Sequence, residues 1–311
     1  MIRALIIVFG IIVFPWLSIP AQQLNGFDIS EALIPSHQIL RGGPPRDGIP
    51  AIDNPKFKPI SQYREFDTKS QVLGIYYNGI AKAYPITIMD YHEIVNDDFN
   101  GKPVVATYCP LCGSGIAFEA LVNDERAKFG VSGLLYNSDV LLYDRSTESL
   151  WSQIMAKAVS GSMKGQELTV IPTRRMSLGS WKKTYPESLI LTTDSGFERN
   201  YQEGPYGNYN DENITYFPVS NNDDALHKKE WIIGIEINGQ YKAYPIVRLS
   251  KVKTRELKDS LGGTSFTLMW DTRKENFRAV TSTGKEIPAL QMFWFAWVAF
   301  HPETALYNGT G

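Results

Sequence analysis

The sequence predicts an α+β protein, mainly antiparallel β with short helices, built as two tandem related units. Three observations predict it. The run Val72-Leu73-Gly74-Ile75-Tyr76-Tyr77-Asn78-Gly79-Ile80-Ala81-Lys82-Ala83-Tyr84-Pro85-Ile86 recurs almost residue for residue as Ile232 to Ile246. A second pair of segments, Trp181 to Leu189 and Trp297 to Ala305, follows in the same order, and self-similarity in two ordered blocks marks a repeated structural unit. Within each repeat an Asn-Gly pair, Asn78-Gly79 and Asn238-Gly239, is flanked by apolar and β-branched residues, the strongest short-range signal for a two-residue hairpin turn.

Along the chain, Met1-Ile2-Arg3 followed by a nearly unbroken apolar run from Ala4 to Leu17 and then Ser18-Ile19-Pro20-Ala21 has the order of a signal peptide over residues 1–21. That expectation places the folded part in the periplasm or outside the cell, with membrane contact only through an uncleaved N-terminal segment. Residues 22–71 are rich in Pro and Gly, which suits an extended wrap rather than long regular elements. The first unit occupies residues 72–195. After its hairpin, Ile88, Tyr91 and Val95 recur at helical spacing and put His92 on a short helix. Strands are expected over residues 103–108 and 116–118, and further strands in an insertion between Glu119 and Gly161 that the second unit lacks. Residues 196–229 read as a surface linker and 230–311 as the second, degenerate unit, ending in a buried helix over residues 290–300.

The charges are evenly mixed and sum to −2, so there is no basic stripe to hold nucleic acid. There is no Gly-x-Ser-x-Gly elbow and no phosphate-cradling glycine pattern.

The two cysteines of the chain stand together in Cys109-Pro110-Leu111-Cys112-Gly113, in the first unit alone. At the spacing of the repeats, His92, Cys109 and Cys112 fall opposite Val252, Met269 and Thr272. Such a pair has three uses. As a knuckle it aims two soft thiolates at one Zn or Cu ion, with His92, Glu93 or a distant His227 or His301 completing the set. As a reactive dithiol it exchanges with disulfides, His92 stabilising a thiolate. As a disulfide it would close so short a loop that it adds little stability. Asp144-Arg145 reads as a turn-supporting ion pair or an anchor for an anionic small molecule, and Trp151 as packing or a rim for a ligand.

Several runs carry a resemblance: His92 to Asp97, Thr107 to Ser114, Phe129 to Asp139 and Tyr143 to Gln153. On these the chain resembles a bacterial and archaeal domain-of-unknown-function family of the DUF3179 type, over roughly residues 70 to 210. The resemblance implies that His92, Cys109, Cys112, Asp144, Arg145 and Trp151 are hallmark positions, and it brings no activity, substrate or cofactor. The leading expectation is a thiophilic metal site. A thiol-disulfide oxidoreductase is second and a non-catalytic protein-binding module third.

Overall fold

The computed structural model describes residues 22–271 and 276–309, so the expected signal peptide lies outside the described residues. Five sheets of four or five strands, nearly all antiparallel, stand as the blades of a propeller-like ring, with few short helices.

The first blade grows from the Asn78-Gly79 hairpin. Both turn residues have positive φ, 46° and 80°, the mirror-image turn whose twist matches the strands Gln71–Tyr77 and Ile80–Pro85. Thr173–Ser177 flanks one side, and Leu189–Leu191 joins the other side in parallel, with Phe57–Pro59 beyond it. The helix Leu178–Thr184 lays Trp181 on Gly74 so closely that an added Cβ would stand 2.1 Å from the ring. Trp181 Nε1 donates to Ser188 Oγ at 3.0 Å, which gives the buried indole its partner.

The fourth blade is arranged alike. Its order is Leu290–Phe293, Trp231–Ile237, Gln240–Pro245 and a parallel Ala305–Leu306. Trp297 lies on Gly234, 2.3 Å from where a Cβ would sit, and donates to Thr304 Oγ1 at 2.8 Å. The segment read as one helix over residues 290–300 therefore divides. Leu290–Phe293 pairs as a strand because Trp231–Ile237 offers it an open edge, and only Trp294–Phe300 is helical.

The second blade holds Ile94–Phe99, Lys102–Cys109, Ser114–Glu119 and Val170–Ile171, and the fifth holds Glu256–Leu261, Thr264–Asp271, Asn276–Thr281 and Glu286–Ile287. Each is tied to the preceding hairpin in one way. Lys82 and Tyr84 bind Asp97, and Lys242 and Tyr244 bind Asp259.

The insertion is a whole blade, the third, comprising Phe129–Tyr136, Asp139–Asp144, Leu150–Ser152 and Lys157–Ser160, with Leu40–Arg41 from the wrap on its edge. The helix of the first unit runs from Ile86 to His92 and stops short of Val95, because Glu93 turns to φ 55° and lets Ile94–Phe99 begin. Residues 196–229, read as a surface linker, are in part interior: Tyr201 and Tyr209 are buried.

Candidate metal centre

Two turns from neighbouring blades meet at the cysteines. Cys109 ends the strand Lys102–Cys109, Ser114 begins the next, and the two residues pair across the mouth of the turn. Gly113 closes the turn at φ 64°, and a side chain there would strike Trp231. From the third blade comes the turn Asn137-Ser138, with φ of 52° and 64°, followed directly by Asp139. Both thiols donate to the Ser138 carbonyl, Cys109 at 3.6 Å and Cys112 at 3.4 Å.

Cys109, Cys112 and Asp139 form a buried group that could hold a metal ion: the two sulfurs and a carboxylate oxygen all lie within 4.8 Å of one another. That spacing suits a tetrahedral ion with Zn–S bonds of about 2.3 Å and Zn–O bonds of about 2.0–2.2 Å. Asp139 Oδ2 accepts from the Ile154 amide at 3.1 Å, while Oδ1, also buried, has no hydrogen-bond partner among the described residues. Both thiols are free.

The turn is held rigid from behind. Gln153 Nε2 donates to Thr107 Oγ1 at 2.7 Å, and Gln153 Oε1 accepts from Ser114 Oγ at 2.7 Å, so one buried amide grips both flanks of the cysteine turn. Thr107 in turn donates to the Ile116 carbonyl. Residues 205–220 cover the other side. The Tyr209 hydroxyl donates to the Leu111 carbonyl at 3.1 Å, Ser138 Oγ to the Phe217 carbonyl at 2.8 Å, and the Ser220 amide to Asn137 Oδ1 at 2.7 Å.

Charge is the unbalanced feature of this site. Burial pushes the Asp139 carboxyl up to about 7, opposed by the Ile154 and Val140 amides and by the thiols. Burial, then the charges of Asp139 and Asp90, pushes Glu93 up to about 8, and burial raises Asp90 to about 7 against the pull of Arg175. Both thiols are pushed up by burial. Acids crowded in a low dielectric favour their neutral forms unless a cation joins them.

His92 lies elsewhere. It is fully buried, with Nδ1 2.7 Å from the Pro50 carbonyl and Nε2 2.6 Å from the Tyr201 hydroxyl. A carbonyl only accepts, so Nδ1 carries the proton and Nε2 accepts from Tyr201. Burial lowers the pKa of the imidazole, which keeps it neutral. Both ring nitrogens are thereby used, and His92 does not join the sulfurs within the group. Neither does His301, stacked on Tyr241 at 4.0 Å, nor His227, which accepts from the Lys229 amide. Glu93 is buried beside the group and couples to it through charge alone.

Asp144 and Trp151 brace the third blade from within. Asp144 accepts from Ser146, from the Thr147 amide and hydroxyl, and from Trp151 Nε1 at 2.9 Å. Burial would raise its pKa, but these bonds outweigh it and keep the carboxylate ionised. Arg145 pairs with Asp53, and Trp151 is interior. Asp139 is the member of this group that sequence reasoning missed. It stands in the Asn137-Ser138-Asp139 run, and the Asn-Ser turn that aims it lacks the glycine that usually flags such a hairpin.

A family model described as "Protein of unknown function (DUF3179)" matches residues 46–286, most of the chain. The chain belongs to this family. No curated protein and no solved structure matches it. In this DUF3179 protein the family match takes in the cysteine turn, Asp139, Gln153 and the covering residues 205–220.

Proposed function

We propose that this DUF3179 protein is an exported metal-binding protein in which Cys109, Cys112 and Asp139 hold a thiophilic transition metal. The observation that carries the reading is the convergence of two free thiols and an unpartnered carboxylate oxygen at one buried point. The thiols have the Ser138 carbonyl, but a buried carboxylate oxygen lacking a partner costs about 1–3 kcal/mol. A soft ion deprotonates the thiols on binding and turns that penalty into affinity. The carboxylate favours Zn over Cu(I), which prefers sulfur alone. Three protein ligands leave a tetrahedral ion one open position, the arrangement of zinc sites that act on a ligand and not of purely structural ones.

The signal-peptide order of residues 1–21 supports export. A doubled module supports the restriction of the site to one half: the first and fourth blades share strand order and the Gly-under-Trp contact, and the second and fifth share the Lys-Tyr-Asp tie, yet only the first pair carries cysteines. The oxidoreductase reading draws less support, because burial raises both thiols and a strand, not a helix N-terminus, follows Cys112.

Cobalt tests the metal reading. The apo protein titrated with Co(II) gives thiolate charge-transfer absorption at one equivalent, and Cys109→Ser or Cys112→Ser removes it. No such band in the wild type rejects the reading.

A further inference from the structure

A cavity of about 420 Å³ opens beside the cysteine turn. Leu111, between the two cysteines, and Val140, next to Asp139, form part of its wall, so it lies one residue away from the Cys109–Cys112–Asp139 group. Val131, Leu135 and Phe217 make most of the remaining surface apolar, and among the described residues no Lys, Arg or His lines it. Its volume falls in the range of about 300–1,000 Å³ that small-molecule sites occupy.

One polar group stands out in this wall. Glu93 is 8% exposed and lines the cavity, with no hydrogen bond made by its carboxyl among the described residues. Its position follows from the αL turn that ends the helix Ile86–His92 and swings residue 93 away from the helical face that carries His92. Tyr206 and Tyr216, both from the covering segment, also line it. Tyr216 is half exposed and packs on Tyr209 with ring centroids 4.5 Å apart, placing an aromatic edge where the cavity meets solvent.

The geometry points to a binding site for a small, uncharged, largely apolar organic molecule whose hydrogen-bond acceptor meets the Glu93 carboxyl, beside the Cys109–Cys112–Asp139 group. An anion finds no positive partner in the wall among the described residues and meets the acid Glu93. A cation needs Glu93 ionised, and burial, with the nearby Asp139 and Asp90, works against that. A protonated Glu93 offers a hydrogen-bond donor to the cavity, and an acceptor on the bound molecule is its complement. The inference rests on the proposed metal reading only for what the bound molecule lies beside; occupancy of the cavity does not require the metal.

Three isosteric probes test it: benzamide, benzoate and benzamidinium, titrated calorimetrically into full-length mature protein, once zinc-loaded and once chelator-treated, with zinc measured in each sample. Benzamide is expected to bind at least about tenfold tighter than either ion, since a buried unpaired charge or polar group is disfavoured by that much or more. Glu93→Gln, which keeps a donor, retains benzamide affinity, and Glu93→Ala weakens it by about tenfold. Equal or tighter binding of either ion, or no binding of any probe, overturns the inference. So does an unchanged affinity in Glu93→Ala. Benzamide binding in protein that takes up no zinc overturns the metal reading alone, and full zinc with no benzamide binding overturns the cavity reading alone.

Discussion

Gln153 Nε2 lies 2.7 Å from Thr107 Oγ1, and this contact ties the blade that supplies Asp139 to the blade that supplies the cysteines. Gln153→Leu keeps much of the volume and leaves the Ser114 hydroxyl without its acceptor. The expected loss of stability is about 1–3 kcal/mol in urea unfolding. A group that orients metal ligands typically changes affinity by about 10–100-fold, so zinc competition titrations should show a loss of that size. Unchanged zinc affinity in the folded variant would show that the amide holds structure only.

Gly74 and Gly234 sit beneath Trp181 and Trp297 in the first and fourth blades. Alanine at either position places a methyl group inside the indole's space, and overpacking of this kind costs about 1–3 kcal/mol. Thermal unfolding of Gly74→Ala and Gly234→Ala should show similar losses. A neutral result at either site would mean that the tryptophan moves aside freely and that the shared contact carries no structural weight.

Glu93 sets a pH dependence. Its folded value of about 8 lies above the ordinary 4.5, so the folded state holds a proton that the unfolded state releases between those values. Its contribution is complete below pH 4.5 and is lost as pH rises through 8. Chelator-treated wild-type protein should therefore lose stability relative to Glu93→Gln between pH 5 and 8. A parallel pH profile for the two proteins would place the Glu93 carboxyl in water.

His92 joins the helix Ile86–His92 to the Pro50 carbonyl and Tyr201, a structural junction on both nitrogens. His92→Ala should destabilise by about 1–3 kcal/mol through the lost bonds and leave zinc stoichiometry intact. Zinc loss in a folded His92→Ala protein would restore the imidazole to the ligand set.

Period and turn chemistry made much of this fold legible. Asn78-Gly79 and Asn238-Gly239 announced their hairpins, and the strands flanking the cysteines were located to within a few residues. The ring of blades was not legible, because closure depends on long-range packing that alternation along one strand does not encode. The expected sheet-forming insertion proved to be a blade for the same reason. At the site, the cysteines were plain from spacing. The sequence points to His92 because the similar segment after residue 230 lacks it, and such a difference in sequence carries no information on distance. Asp139 was hidden because it is brought to the sulfurs by a turn of another blade, and no sequence spacing records that approach. The tyrosines of residues 201–216 looked like surface in a polar, Asn-rich stretch, yet Tyr201 and Tyr209 are interior, each with a specific partner for its hydroxyl.

Elemental analysis of the mature protein, exported and purified without chelator, tests the metal assignment most directly when wild type, Asp139→Asn and His92→Ala are compared. The account predicts near-stoichiometric zinc in wild type and His92→Ala and a marked fall in Asp139→Asn. Wild-type protein without bound transition metal, or Asp139→Asn retaining it in full, would contradict the account.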